Sequence, residues 1–484
     1  MGLEGIIRKV GYSALINFAY TFISNKPERL TYLLDSLEKS DNSEIQSVAK
    51  FSQFVRDNKG PYELFQKLFT KNKKMVVSFF KNMIVNQGLD WLKRCEYELE
   101  NDNFIPPYTV LISPTMRCNK RCVGCYASDY KKEDMSPKFF DNIINQAEDM
   151  GVHFFTILGG EPLMVLKNEE YANIVKQHKR SEFQFFTNSE LMDTPFIRFL
   201  KKSGNLMPVI SINGDKKNTD KVRGIGSYDK IQITMRRLKV DDIPFGVSVV
   251  LRRDNFDEII NETFWDNMIN KGALFAWQFL YMPVGNNPDF SQIPNGEERK
   301  KAAKFVHSYR AKKPLFLMDF WGDAPYVGGC IAARKYMHIT TDGDVEPCIF
   351  AHHAVDNLNL NDTTLREAWN SPYFWQIRYS QPHTDNLYRP CMIIDKPINY
   401  NDAVLSHDAF STDESSDFLI ENQKLEKYSE STKDVLDDFF DKEYSNWLSD
   451  KREKGKGTNE GFDRIWLEGL SDEMRKKYMK KVNE

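Results

Sequence analysis

Between residues 104 and 300 short apolar runs alternate with stretches of helical periodicity. The runs are Thr109–Ser113, His153–Leu158, Phe183–Thr187, Pro208–Asn213, Phe245–Leu251 and Ala273–Tyr281. Their length and flanking polar or glycine-containing segments predict buried strands. The first intervening helix is the clearest. Ser136 caps it, Pro137 sits in its first turn, and Phe139, Phe140, Ile143, Ile144 and Ala147 line one face before Gly151 ends it. Repeated βα units predict a parallel sheet with right-handed crossovers. Six strands predict an α/β fold, a partial (β/α)6 TIM-like barrel rather than a complete eightfold one.

The flanks read differently. Residues 1–103 carry only helical patterns. From Leu64 to Val85 an apolar stripe includes Phe65, Leu68, Phe69, Val76, Phe79, Phe80, Met83 and Ile84, with Lys67, Lys71, Lys73, Lys74 and Lys81 between. The stripe predicts either a bundle packing on the next domain or a basic aromatic helix in peripheral contact with a membrane. Within residues 301–400, "YMHITTDGDVEPC" predicts a β-hairpin: Tyr336–Thr341, a turn at Asp342-Gly343, and a return over Asp344–Glu346. Residues 401–484 are charged and mostly helical in pattern, with a loose loop expected from Ser449. The expected division is 1–103, 104–300, 301–400 and 401–484.

Composition narrows the class. The 484 residues carry a formal net charge of −3, so no basic excess points to nucleic acid. No run of 18 apolar residues occurs, so no membrane span is expected. The run Ala14–Ile23 is interrupted by Asn17 and lacks a cleavage site after it, so the reading is a cytoplasmic protein. Gly5-Ile6 stand where a myristoylation pattern wants Ser or Thr. With 34 Phe and 21 Tyr the chain has a large core, a wide apolar cavity, or both. Phe155, Phe275, Trp277 and Phe279 are candidates to line such a cavity, with ordinary core as the alternative.

Six of the seven cysteines fall into two groups of three, and Cys95 stands alone as a buried or spare helix cysteine. Clustered cysteines in a large chain without a signal peptide indicate metal binding rather than disulfides. Cys118, Cys122 and Cys125 fit a loop wrapped around one site. Thiolates select zinc or iron–sulfur clusters. Structural zinc wants four ligands, and no fourth Cys or any His lies nearby in sequence. A cubane held by three cysteines keeps one iron free for a ligand.

The stretch "CNKRCVGCY" resembles the CxxxCxxC signature of the radical S-adenosylmethionine (SAM) superfamily, with Tyr126 the aromatic that follows the third cysteine. Further segments are similar in order: "LGGEP" with Gly159, Gly160 and Glu161, "FTN" ending at Asn188, and "SING" with Ser211 and Asn213, followed by "VRGIG" with Arg223. Each falls at the end of a predicted strand, where sites of such barrels gather. The resemblance implies a SAM-binding [4Fe–4S] cluster on Cys118, Cys122 and Cys125. It implies that Glu161 and neighbouring carbonyls meet the methionine amine, that Ser211 contacts SAM, and that Arg223 pairs with the methionine carboxylate. The implied reaction is reductive cleavage of SAM to a 5′-deoxyadenosyl radical, which abstracts hydrogen from a substrate. Two departures stand out: Ser189 follows Asn188 where relatives have Gly, and Asn213 stands where Asp or Glu is common.

Gly329-Cys330, the Asp342-Gly343 turn, Pro347-Cys348 and "RPCMIID" with Cys391 resemble the C-terminal SPASM and Twitch regions of the same superfamily. That implies at most one auxiliary [4Fe–4S] cluster on Cys330, Cys348 and Cys391, with a zinc site as the rival. His338, His352 and His353 lie near in sequence, and none is taken as the fourth ligand. The implied partners are a ferredoxin or flavodoxin as reductant and a peptide or protein substrate. The alternatives are lipid-chain modification or C–C coupling, favoured by the aromatic helix around Phe79, and a non-enzymatic electron carrier, disfavoured by the SAM motifs.

Overall fold

The computed structural model describes residues 3–38, 53, 55–102, 104–127, 133–285, 287–360, 362–413 and 416–454. The six expected strands form: β1 (Thr109–Ile112), β2 (Phe154–Ile157), β3 (Glu182–Thr187), β4 (Leu206–Ser211), β5 (Gly246–Leu251) and β6 (Phe275–Leu280). They pair in parallel in sequence order. Three further strands extend the sheet. β7 (Phe316–Asp319) pairs in parallel with β6, β8 (Tyr336–Ile339) in parallel with β1, and β9 (Val345–Glu346) returns antiparallel to β8. The expected hairpin therefore exists but belongs to the barrel sheet. Its place beside β1 is a long-range pairing, which local periodicity does not encode.

The sheet curls. Phe186 of β3 and Phe279 of β6 have ring centroids 6.1 Å apart, whereas three strand spacings in a flat sheet would separate them by about 14 Å. The outer face is apolar and helix-covered. Phe140, Ile143 and Ile144 of the helix Pro137–Asp149 are buried with Val110, Ile112, Phe155 and Ile157 in one core. Phe155 stacks on Phe183 at 5.1 Å within that outer layer. Of the two readings offered for it, cavity wall or core, Phe155 is core, because its strand position faces the helices. Trp277 and Phe279 point the other way, half-buried and stacked at 5.9 Å, with Phe320 leaning on both rings.

In the N-terminal region the stripe from Leu64 to Val85 is divided over two α-helices and the π-helical turn Lys81–Asp90 that continues the second. Lys59–Leu68 ends before Asn72, whose side chain accepts from the Met75 N–H at 3.2 Å and starts Lys73–Phe80. Val76 and Phe80 are buried with Tyr20, Ile23 and Phe69, and Phe69 stacks on Phe80 at 5.4 Å. The stripe thus serves a bundle core. Among the described residues no helix is long and apolar enough to cross a membrane. Cys95 is buried beside Trp91. Ser449–Lys454 forms the end of the helix Gln423–Lys454 rather than a loop, because strong helix formers continue until the glycines at 455 and 457. The rest of the expected loop lies outside the described residues.

One buried ion pair joins barrel and C-terminal region. Arg299, on the helix Gly296–Lys312, donates from Nη1 to Asp395 Oδ1 at 2.6 Å and from Nη2 to Oδ2 at 3.1 Å. Asp395 also accepts from the Cys391 N–H at 3.0 Å. Both charged side chains are almost completely buried. Arg299→Ala leaves that carboxylate without its partner and should lower unfolding stability by about 3–5 kcal/mol, read by urea denaturation of the apoprotein. A loss within 0.5 kcal/mol would show that the pair is not structural.

Candidate active site and second cysteine site

The loop carrying Cys118, Cys122 and Cys125 leaves the C-terminal end of β1. Backbone contacts hold it from three sides. The Gly160 N–H donates to the Thr115 carbonyl and the Glu161 N–H to the Arg117 carbonyl, both at 2.9 Å, and the Val123 N–H donates to the Val222 carbonyl at 2.9 Å. A Cβ on Gly159 would collide with the Thr115 carbonyl, and one on Gly160 with the Met116 and Arg117 carbonyls. These two glycines permit a backbone approach that no other residue allows. Lys120 pairs with Glu190 and donates to Ser227 Oγ at 2.8 Å, tying the loop to β3's exit and the helix Ser227–Val240.

The three thiols lie within electrostatic reach of one another. Cys118 is pushed up to about 11 by enclosure of its sulfur, and the Cys122 and Cys125 thiols add to the rise. The Lys120 N–H donates to Cys118 Sγ at 3.4 Å. Such a set fits a metal-bound thiolate trio, since metal binding removes the thiol protons that burial otherwise retains. Among the described residues no group of three or more His, Cys, Asp or Glu side chains is placed to hold a metal ion.

Glu161 is buried and its carboxylate is occupied by protein donors: the Leu163 N–H at 3.1 Å, Thr187 Oγ1 at 2.6 Å and the Asn188 N–H at 2.7 Å. Burial pushes it up to about 7 against those hydrogen bonds. It pins the end of β3 to the β2 loop. Asn188 in turn donates from Nδ2 to Asn119 Oδ1 at 2.8 Å and approaches Cys118 Sγ at 3.8 Å. Ser189 has φ +67° and a buried hydroxyl without a partner, which explains why glycine suits that position. Ser211 accepts from Ser248 Oγ at 3.2 Å. Asn213 Oδ1 accepts from Arg223 Nε at 2.6 Å, so the amide replaces an acid as the anchor of that guanidinium. Tyr126 turns toward the second cysteine region, edge-on to Phe350 at 5.8 Å.

Arg252, at the exit of β5, went unnoticed in the sequence. Its guanidinium lies over the Tyr281 ring at 4.9 Å and beside Gly124 of the cysteine loop. Its only signal was a charge directly after an apolar run. On the inner face, Trp277 Nε1 and Gln184 Nε2 are buried N–H groups without a partner.

Cys330, Cys348 and Cys391 also converge. Each thiol raises or is raised by another, and burial pushes Cys330 and Cys348 up to about 12 and Cys391 further. Backbone N–H groups address all three sulfurs, including that of Ile393 to Cys391 Sγ at 3.4 Å. Tyr336 donates its hydroxyl to Cys348 Sγ at 2.9 Å. The nearby histidines are engaged elsewhere. His338 bonds Glu346 Oε2 at 2.6 Å and Ser113 Oγ at 2.7 Å, His352 bonds Asp413 and the Ile349 carbonyl, and His353 bonds the Tyr400 hydroxyl at 2.7 Å. His383, also passed over in the sequence, is buried with Nε2 unpartnered. Its neighbour Pro382 lies against Gly329.

The curled parallel sheet thus carries a three-cysteine loop at the end of β1 and a second cysteine trio next to β8. Residues 112–263 match the Radical SAM superfamily, and residues 330–392 match an iron–sulfur cluster-binding domain, SPASM. Residues 112–263 are therefore a Radical SAM domain and residues 330–392 a SPASM iron–sulfur cluster-binding domain, which together imply a [4Fe–4S] cluster, SAM and an auxiliary cluster. It is 23% identical over 263 residues to the sporulation killing factor maturation protein SkfB of Bacillus subtilis, covering 51% of this chain and 61% of that protein. It is 23% identical over 296 residues to the PqqA peptide cyclase of Xanthomonas euvesicatoria, covering 55% and 75%. Streptococcus suis SuiB bound to S-adenosylmethionine superposes with a TM-score of 0.48 at 21% identity, covering 67% of this chain and 81% of that one.

Two outcomes follow. Ser189→Gly relieves a left-handed conformation and removes an unsatisfied hydroxyl. It should raise stability by about 1 kcal/mol, seen as a higher urea midpoint at unchanged slope; no gain would place the strain elsewhere. Glu161 has a folded value above its unfolded one, so the folded state holds its proton to higher pH. Its contribution to stability is fully present below about pH 4.5 and declines as pH rises to about 7. The stability of apoprotein minus that of Glu161→Gln should therefore fall across that window, and a flat difference would contradict the burial.

Proposed function

We propose that this chain modifies a peptide by SAM-dependent hydrogen-atom abstraction. In this reading Cys118, Cys122 and Cys125 hold the SAM-cleaving cluster, and Cys330, Cys348 and Cys391 hold an auxiliary [4Fe–4S] cluster. The observation that carries it is that two separate thiol trios, one on an accessible loop and one enclosed, are served by adjacent strands of one sheet, β1 and β8. With SAM and its cluster bound, the site supplies a carbon-centred radical able to take hydrogen from an unactivated C–H bond.

The protein's own groups then have defined tasks. Gly159 and Gly160 bring backbone against the cysteine loop. Glu161 holds Thr187 and Asn188 in place at the strand top. Asn213 takes Nε of Arg223, leaving the terminal nitrogens for the methionine carboxylate as a bidentate pair. Asn188 and Ser211 border the SAM pocket, and Tyr126 closes it toward the second region. The stacked Trp277 and Phe279, with Phe186 and Phe320, give an apolar wall that excludes water from the reacting carbon.

A peptide is favoured over a lipid chain on two grounds. SkfB is named as a maturation protein and the Xanthomonas relative as a peptide cyclase. The inner wall also pairs aromatic surface with two N–H groups, of Trp277 and Gln184, that want acceptors such as peptide carbonyls. The lipid alternative loses support, since Phe80 is buried in the helical bundle and Phe79 is half-buried against it. The electron enters from a ferredoxin or flavodoxin. The exposed Val123, flanked by exposed Arg117 and Arg121 on the cysteine loop, suits an acidic carrier.

The test is iron and sulfide per chain in anaerobically purified protein, with EPR of the reduced form before and after adding SAM. About eight irons and a SAM-shifted signal are expected for two cubanes; about four irons would remove the auxiliary cluster. Cys118→Ala, Cys122→Ala and Cys125→Ala should each abolish SAM cleavage, and any one that retains full cleavage overturns the assignment. Cys330→Ala should lose product formation more than uncoupled SAM cleavage.

A further inference from the structure

Tyr336 opens β8, the strand that pairs with β1, in register with Thr109. Its ring is almost fully buried, at 4% exposure. The hydroxyl does not satisfy itself on a backbone carbonyl, the usual partner of a buried tyrosine. It donates to Cys348 Sγ at 2.9 Å and lies within electrostatic reach of Cys330 and Cys391 as well. It is therefore the one side-chain hydroxyl that touches the thiol trio among the described hydrogen bonds. Two residues along the strand, His338 bonds Ser113 at the exit of β1 and Glu346 just before Cys348. The backbone that presents Tyr336 is thus fixed on both sides, so the hydroxyl's position is set by the barrel sheet.

Resting on the reading that this trio holds an auxiliary cluster, we propose that Tyr336 is a positioning residue whose hydroxyl donates to the Cys348 thiolate and raises that cluster's reduction potential. A hydrogen bond to a ligating sulfur withdraws charge and favours the reduced, more negative cluster. The separation of 2.9 Å is that of a donor to the sulfur itself. An oxygen bound to a different iron would stand well away from that sulfur, so the phenol is read as a donor rather than as a fourth ligand. A cluster held by Cys330, Cys348 and Cys391 would supply an electron acceptor, and the Tyr336 donor would make it the stronger one.

The test uses the full chain with Cys118→Ala, Cys122→Ala and Cys125→Ala, so that only the auxiliary cluster gives a signal, compared with the same chain carrying Tyr336→Phe. Phenylalanine keeps the ring and removes only the hydroxyl. Potentiometric titration followed by EPR should show the reduced-to-oxidised ratio at fixed potential falling about tenfold, a shift of about 59 mV to the negative for one electron. A second readout needs no variant. In D2O the reduced cluster of the parent chain should show one strongly coupled exchangeable deuteron by pulsed electron–nuclear double resonance, absent in Tyr336→Phe. A cluster present with unchanged potential and unchanged deuteron coupling overturns the inference alone. A parent chain with no cluster overturns both the inference and the auxiliary-cluster reading. A new oxygen-ligand charge-transfer band lost in Tyr336→Phe would make the phenol a ligand and overturn the donor role.

Discussion

The pairing of β8 with β1 is the interaction on which the rest of the arrangement depends. β1 delivers the first cysteine loop from its C-terminal end, and β8 leads through a tight turn to Glu346 and Cys348. Because the strands are parallel and in register from Thr109–Tyr336 to Ile112–Ile339, the two cysteine sites lie at a fixed separation. His338 strengthens the seam from within, joining Ser113 to Glu346 in a chain of buried hydrogen bonds. Such a buried network is costly unless complete, and it is complete here. The two cysteine regions are both anchored to that sheet.

Around that seam the protein encloses polar groups and gives nearly all of them partners. Glu161 takes three donors, Asn213 takes Arg223, and Asp395 takes both Arg299 and the Cys391 amide. These contacts hold loops, which otherwise lack a regular hydrogen-bond ladder. Other buried side-chain atoms lack a partner among the described residues, including Ser189 Oγ and His383 Nε2 and, on the inner face, Trp277 Nε1 and Gln184 Nε2.

The two departures from the family pattern have separate physical accounts. Ser189 adopts the left-handed backbone that glycine adopts freely. It does so while its amide donates to Thr187 Oγ1 and its carbonyl accepts from Thr234, so its surroundings hold it there. Asn213 keeps the anchoring function of an acid by offering an amide oxygen to Arg223.

By itself the sequence determined the strands, the cysteine loops and the motif order. Those signals are local: apolar runs, a capped helix from Ser136, glycines at turns, and thiols spaced along one loop. The hairpin at Asp342-Gly343 was legible for the same reason, since a turn that places Gly343 at φ +95° suits glycine. What the tertiary structure decided was everything that joins distant segments. The place of β8 beside β1, the addition of β7, the outward turn of Phe155, and the meeting of Arg299 with Asp395 are pairings across tens to hundreds of residues. The Thr187 and Asn188 partners of Glu161 also lie in another βα unit, and the shorter-range contact of Tyr336 with Cys348 depends on how the hairpin closes. No periodicity records these pairings, because they follow from which apolar faces the folded chain can cover and which buried polar atoms it must satisfy.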